Sequence, residues 1–192
     1  MYLHAIEHAL ERGHTALVLV PEIALTPQMV QRFKGRLGED VAVLHSRLGL
    51  GERYDQWRGI REGRYKVVIG ARSALFAPLA DLGLIVIDEE HETTYKDGSA
   101  PRYDARDVAA MRARMSGAVL VLGSATPRLE SRYACVHGGY VYLELPRRVD
   151  DRPLPDTEVV DMRELEEPGM RNILAPQLVN ALGKIYKAGE QA

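Results

Sequence analysis

Leu84-Ile-Val-Ile-Asp88-Glu89-Glu90-His91 is a run of apolar residues that ends abruptly in acids. Four large aliphatic residues in a row predict a strand buried on both faces, as in a parallel sheet covered by helices. The acids then stand at the C-terminal end of that strand, the rim where open α/β sheets bind ligands. An Asp in this position can help hold Mg²⁺ on nucleotide phosphates, and a following Glu can orient or deprotonate a water. A bare Asp-Glu pair would be explained as well by a solvated acidic turn.

The rest of the chain follows the same pattern. Thr15 to Val20, Val41 to Leu44, Lys66 to Gly70 and Val119 to Leu122 are further nearly continuous apolar runs. Amphipathic stretches lie between them. Leu3, Ile6 and Leu10 share a face, with Gly13 at the expected C-terminal cap. Thr26-Pro27 reads as N-cap plus first-turn proline before Met29, Val30, Phe33 and Leu37. Tyr54, Trp57 and Ile60 form a third stripe, with Trp57 expected in the core. Ala105, Val108, Ala109, Arg112 and Met115 form a fourth, with Pro101 as its start. This alternation predicts an α/β fold, a parallel sheet with helices on both faces. The compact sheet is expected over 1–145. An outgoing segment over 146–192 is punctuated by Pro146, Pro153, Pro155 and Pro168, with a weak strand near Glu158 to Asp161 and a last helix opening at Pro176.

Composition narrows the class. Of 192 residues, 46% are hydrophobic and 27% charged, the balance of a globular protein. No apolar run is long enough for a membrane helix, so no membrane partner is expected. One cysteine, Cys135, precludes an internal disulfide or a Cys-rich zinc site, and fits a reducing cytoplasm; it is expected as a small buried hydrophobe. A net charge of -2 argues against a generally basic nucleic-acid binder but allows a local basic surface. His4, His8 and His14 lack a further ligand and read as surface residues; Arg112, Arg114, Arg147 and Arg148 read as solvated.

Three more strand exits carry candidate chemistry. Val20-Pro21-Glu22-Ile23-Ala24-Leu25-Thr26-Pro27-Gln28 and Gly70-Ala71-Arg72-Ser73-Ala74-Leu75-Phe76 offer helix N-termini, hydroxyls and an Arg, which suit phosphate contacts, though each alone would pass for a turn. Val121-Leu-Gly123-Ser124-Ala125-Thr126-Pro127 ends in hydroxyls that would link a nucleotide site to a partner surface, with Thr126 also expected to cap the next helix.

In order and wording these four segments resemble motifs Ia, Ib, II and III of superfamily 2 helicases, RecA-like P-loop NTPase domains. VPEIALTPQ, GARSALFAP, IDEEH and LGSATP are most similar to the primosomal replication-restart helicase family. Leu44-His45-Ser46 and the segments Thr94-Tyr95-Lys96 and Pro101 to Asp107 match it too, so the resemblance covers nearly the whole chain. It implies an ATP-dependent 3′–5′ DNA helicase in primosome assembly and restart of stalled forks. Its cofactors would be ATP and Mg²⁺. Its partners would be single-stranded and forked DNA, the single-stranded-DNA-binding protein and other primosome proteins. By resemblance, Asp88 serves Mg²⁺ and Glu89 activates water, while His91, Ser124 and Thr126 link hydrolysis to domain movement. Pro21, Glu22 and Thr26, with Arg72 and Ser73, would lie along the single strand. The loop from Tyr95 to Arg106 is similar to an aromatic-rich coupling loop. There Tyr95 and Tyr103 would stack on bases, and Lys96, Arg102 and Arg106 would meet phosphates. Asp104 stands where the family often has His.

The family's phosphate loop is not found: no G-x-x-x-x-G-K-[ST] occurs in the sequence. The resemblance puts that loop and its strand just before Tyr2-Leu3, and Ala188 to Ala192 at the lead-in to a second RecA-like domain. Zinc belongs to an insertion outside these residues. The expectation is therefore an internal piece of a first RecA-like domain, inactive by itself, with two strand edges left unpaired mid-sheet. A non-catalytic DNA- or protein-binding module is the alternative.

Overall fold

The computed structural model describes residues 1–146, 156–165 and 173–190. Contacts divide the chain into two units, Met1–Tyr142 and Leu143–Ala192. The first contains the sheet. Helix α1 (Tyr2–Glu11) leads into β1 (Thr15–Leu19), followed by α2 (Pro27–Leu37), β2 (Val41–Leu44), α3 (Leu50–Arg61) and β3 (Val67–Gly70). Strand β4 (Leu82–Ile87), the short pair β5 (Lys96–Asp97) and β6 (Tyr103–Asp104), α4 (Ala105–Ser116), β7 (Val119–Leu122) and α5 (Leu129–Val136) complete it. The five long strands pair in parallel in the order β2-β3-β1-β4-β7, while β5 and β6 form an antiparallel ribbon.

Alternate residues of each strand face opposite layers. Ala16, Val18, Val67, Ile69, Leu84 and Val86 meet Ile6 and Ala9 of α1 and Phe33 of α2. Leu17, Leu19, Val68, Ile85 and Ile87 meet Ile60 of α3 and Ala105, Ala109 and Ala113 of α4 on the other side. Helices therefore cover both faces, and β1, β3 and β4 are sealed within. The alanine face of α4 lets that helix lie close against the sheet. Thr26 accepts a hydrogen bond from the Met29 N–H at 3.2 Å, and Pro27 opens α2, as the residue order predicts.

Several expectations are corrected. Helix α4 starts at Ala105, not near Pro101: Asp104 is its N-cap, accepting the Arg106 N–H at 3.0 Å. Met115 points to solvent at its far end. Trp57 is 39% exposed because α3 turns only Gly59 and Ile60 inward. Cys135 is half-buried. Arg112 is not solvated; its guanidinium donates to the carbonyls of Leu75 and Ala77, the latter at 2.7 Å, holding the turn after β3. Residues 156–161 form no strand. Sheet edges also differ from expectation: β4 and β7 pair directly, and among the described strands only the outer flank of β7 lies open on that side.

In the second unit α6 (Pro176–Ala188) opens on Pro176 and closes on Gly189 in a left-handed conformation. Arg147, Arg148, Pro153, Pro155, Pro168 and the last two residues lie outside the described residues.

The end of β3 tolerates no side chain. A Cβ on Gly70 would overlap the Leu44 carbonyl and lie 2.6 Å from the Ala74 Cβ. Gly70→Ala is expected to cost about 1–3 kcal/mol of stability, as overpacking does. Urea denaturation checks this, and an unchanged midpoint would refute the close packing.

Candidate functional site

The C-terminal ends of β1, β3, β4 and β7 form one rim, and the sequence-selected segments all leave the sheet there. Asp88 follows β4 directly; its N–H donates to the Leu19 carbonyl at 2.9 Å, continuing the ladder one residue beyond the strand. Its carboxylate accepts the Tyr2 hydroxyl at 2.9 Å. Burial, reinforced by the neighbouring Asp88, pushes the Tyr2 phenol well above its ordinary range, so it remains a donor. Gly123 permits this approach, since any side chain there would collide with the Tyr2 hydroxyl.

Glu89 has a backbone φ of 46°, a left-handed conformation rare outside glycine. Such a residue costs on the order of 1–3 kcal/mol and persists only when its neighbours are pinned. They are: the Glu90 N–H donates to the Gly123 carbonyl and the Glu92 N–H to the Glu89 carbonyl, both at 2.9 Å. The turn aims the Glu89 carboxylate toward His91, 3.5 Å from Nδ1. His91 Nδ1 also lies 2.8 Å from Ser124 Oγ, which accepts the Thr126 N–H at 3.0 Å. Acids and hydroxyls from neighbouring strand ends are thus brought together. Thr126, however, does not cap α5; Arg128 holds the N-cap position and Thr126 is exposed.

Asp88 and Glu89 supply hard carboxylate oxygens, a donor set that suits Mg²⁺, which takes one or two carboxylates and completes its shell with phosphates and water. Among the described residues no three His, Cys, Asp or Glu side chains gather to hold a metal by themselves.

Behind the turn lies a lock that the sequence did not disclose. Arg106, expected to meet phosphates, is only 7% exposed. Its Nε and Nη2 grip both oxygens of Asp104 at 2.7 and 2.6 Å, while Nη1 donates to the carbonyls of Glu90 at 2.5 Å and Glu92 at 3.2 Å. Glu90 is 1% exposed; its carboxylate accepts the Arg128 N–H at 2.9 Å and the Ser131 hydroxyl at 3.0 Å, securing the start of α5. Burial by itself would raise the Asp104 carboxyl. Hydrogen bonds from the Arg106 side chain and backbone, with the charges of Arg106 and Arg128, outweigh it and hold the group below the usual aspartate range. The Asp104 cap could have been found as an Asp three residues before Asp107; nothing local marks Glu90.

Tyr95, expected to stack on bases, is likewise interior at 1% exposure, and its hydroxyl donates to the Asp88 carbonyl at 2.7 Å. The Arg106 guanidinium lies 5.8 Å from its ring centre. Aromatic area beside a dry guanidinium is buried more favourably than exposed. Pro21 is buried too, and Thr26 is engaged as a helix cap.

Glu22, Arg72, Ser73 and Tyr103 do come together, lining a cleft of about 400 Å³ with Ser46 and Asp97. Ser46 donates its hydroxyl to Glu22. Lys96 and Arg102 are exposed beside the cleft. Arg72 is not free: it holds the neighbouring loop through two carbonyls and Asp97.

The chain is similar to known helicase and replication-restart proteins. A family model described as DEAD/DEAH box helicase matches residues 1–133. Replication restart protein PriA of Bacillus subtilis (strain 168) is 50% identical over 192 residues, covering 100% of this chain and 24% of that protein. The protein of the same name from Synechocystis sp. is 48% identical over 197 residues, again covering 100% of this chain and 24% of its own length. That of Treponema pallidum (strain Nichols) is 44% identical, at 100% and 28% coverage. The chain spans about a quarter of the length of these curated relatives.

Asp104→Asn is expected to destabilise the fold by about 3–5 kcal/mol at pH 7, because it leaves the buried Arg106 charge without its partner. A carboxyl held low contributes stability that is full above its unfolded value, about 3.9, and lost as pH falls through the folded one. The difference between parent and variant should therefore shrink on acidification below about pH 4. Chemical denaturation at several pH values tests this; a difference that grew on acidification would contradict it.

Proposed function

Because this chain belongs to the DEAD/DEAH box helicase family, we propose that it forms the first RecA-like ATPase domain of an ATP-dependent DNA helicase. The helicase would act in primosome assembly and the restart of stalled replication forks, translocating 3′ to 5′ along single-stranded DNA. One observation carries the reading: Asp88, Glu89, His91 and Ser124 share a rim with a cleft formed by the turns after β1 and β3. High identity along the full chain to proteins named for replication restart supports the same role.

In this reading Asp88 would hold Mg²⁺, which neutralises charge on the β- and γ-phosphates of ATP. Glu89 positions and deprotonates the attacking water from its left-handed turn, where its side chain is partly open to solvent. His91 senses Glu89 and passes its position to Ser124, and through the Thr126 N–H to the chain leaving β7. Among cleft and loop residues, Ser73, Lys96, Arg102 and Tyr103 meet the DNA strand. Forked DNA, the single-stranded-DNA-binding protein and other primosome proteins are its partners, and the cytoplasm its place. Among the described residues no helix is long and apolar enough to cross a membrane.

The 192 residues hold no G-x-x-x-x-G-K-[ST], and without such a loop the β- and γ-phosphates lack their backbone cradle and lysine. The 192-residue chain is therefore expected to show no DNA-stimulated phosphate release from ATP, and measurable turnover would refute this. It should bind single-stranded DNA with a salt-dependent affinity. Lys96→Ala with Arg102→Ala should weaken binding and flatten the slope of log affinity against log salt by about 0.7 for each lost phosphate contact. An unchanged slope would remove the loop from the DNA path. Binding indifferent to ATP and Mg²⁺ would favour a non-catalytic binding module instead.

A further inference from the structure

The segment from Thr94 to Tyr103, anchored inside the fold by Tyr95, is fastened on its cleft side by one side chain. Arg72 Nη1 donates to the Thr94 carbonyl at 3.1 Å and the Lys96 carbonyl at 3.0 Å. Its Nη2 lies 2.7 Å from Asp97 Oδ2, and the guanidinium sits 5.7 Å from the Tyr103 ring centre. Tyr103 in turn packs edge-on against Phe76, at 5.4 Å between ring centres, from the same turn that carries Arg72. Asp97 is fixed for this contact by the Ser99 N–H, which donates to its other oxygen at 2.9 Å.

The charges of the cleft make this arrangement self-blocking. Its lining includes the carboxylates of Glu22 and Asp97 against the single guanidinium of Arg72. An incoming phosphate would meet two negative groups and a cation already paired. Arginine's fork binds carboxylate and phosphate in the same manner, so Asp97 occupies Arg72 as a strand phosphate would. The pair is partly open, with side chains 31% and 20% exposed, which leaves the exchange accessible from solvent.

We propose that the Arg72–Asp97 pair is an autoinhibitory latch: Asp97 stands in for a DNA phosphate on Arg72, and strand entry displaces it and releases the Thr94–Tyr103 loop. The inference rests on the reading of this cleft as a path for single-stranded DNA. It reassigns Arg72 from a free contact to a switched one. Lys96 and Arg102 are already exposed, so the displaced carboxylate adds one cation, Arg72, to those that can meet the backbone.

Fluorescence anisotropy of labelled oligothymidylate, across a salt series, tests it on the 192-residue chain. Asp97→Asn is expected to bind about threefold tighter or more, the scale of removing a partly exposed competing ion pair. Its salt slope should steepen by about 0.7, one more phosphate contact. Arg72→Ala added to Asp97→Asn should abolish both gains. Hydrogen exchange supplies a second readout: amides of 94–103 should exchange faster in Asp97→Asn without DNA, and in the parent once DNA is added. Asp97→Ala guards against a residual hydrogen bond from Asn. If the parent binds DNA and neither Asp97 variant binds tighter, the latch is overturned while the strand path stands. If neither parent nor variants bind DNA, both fall.

Discussion

The guanidinium of Arg106 joins the start of α4 to the turn after β4. It closes the first turn of α4 through Asp104, and it donates to the carbonyls of Glu90 and Glu92. A buried charge is costly unless partnered on every side, and here all the groups around it are matched. The carboxylate supplies the countercharge and the carbonyls the remaining acceptors. The ribbon between them adds little, because β5 and β6 are only two residues each. Arg128, 3.6 Å from Asp104, extends the same cluster toward α5.

A second arginine does related work on the solvent side. Arg72 also satisfies two loop carbonyls and one aspartate, yet it is partly exposed where Arg106 is sealed. The difference in burial sets the difference in strength: screening reduces an exposed pair to a fraction of what a dry one contributes. The loop from Thr94 to Tyr103 is thus fastened firmly at its Arg106 end and lightly at its Arg72 end. Chain movement on binding would begin at the lighter fastening.

The fold was legible because its signal is hydrophobic periodicity. Five apolar runs separated by amphipathic stretches admit few arrangements besides a covered parallel sheet, and each of the five is a strand. Asp88, Glu89, His91 and Ser124 were legible because strand ends deliver them to one rim. What the residues did not disclose was which cations face inward. Arg72, Lys96, Arg102 and Arg106 read alike in a loop, and Tyr95 reads like Tyr103. Their fates depend on partners across the fold: a carbonyl at Glu90, a carboxylate at Asp97, a gap beneath Asp88 large enough for a phenol ring. Trp57 failed for a related reason, since α3 rests on the sheet by its Gly59 and Ile60 edge and leaves the indole outside.

The strained backbone at Glu89 ties these threads to chemistry. A residue at φ 46° stays there only while the peptides on either side are held. The residue that follows it is held twice: the Glu90 N–H by Gly123 at the end of β7, and the Glu90 carbonyl by Arg106. On the other side Tyr95 holds the Asp88 carbonyl through its hydroxyl. Two of those three restraints, Arg106 and Tyr95, come from the ends of the loop that covers the cleft. The direction of the Glu89 carboxylate is therefore set by the loop as much as by β4. A shift of Tyr95 or Arg106 would therefore bear on the strained backbone at Glu89, where relaxation lowers the energy.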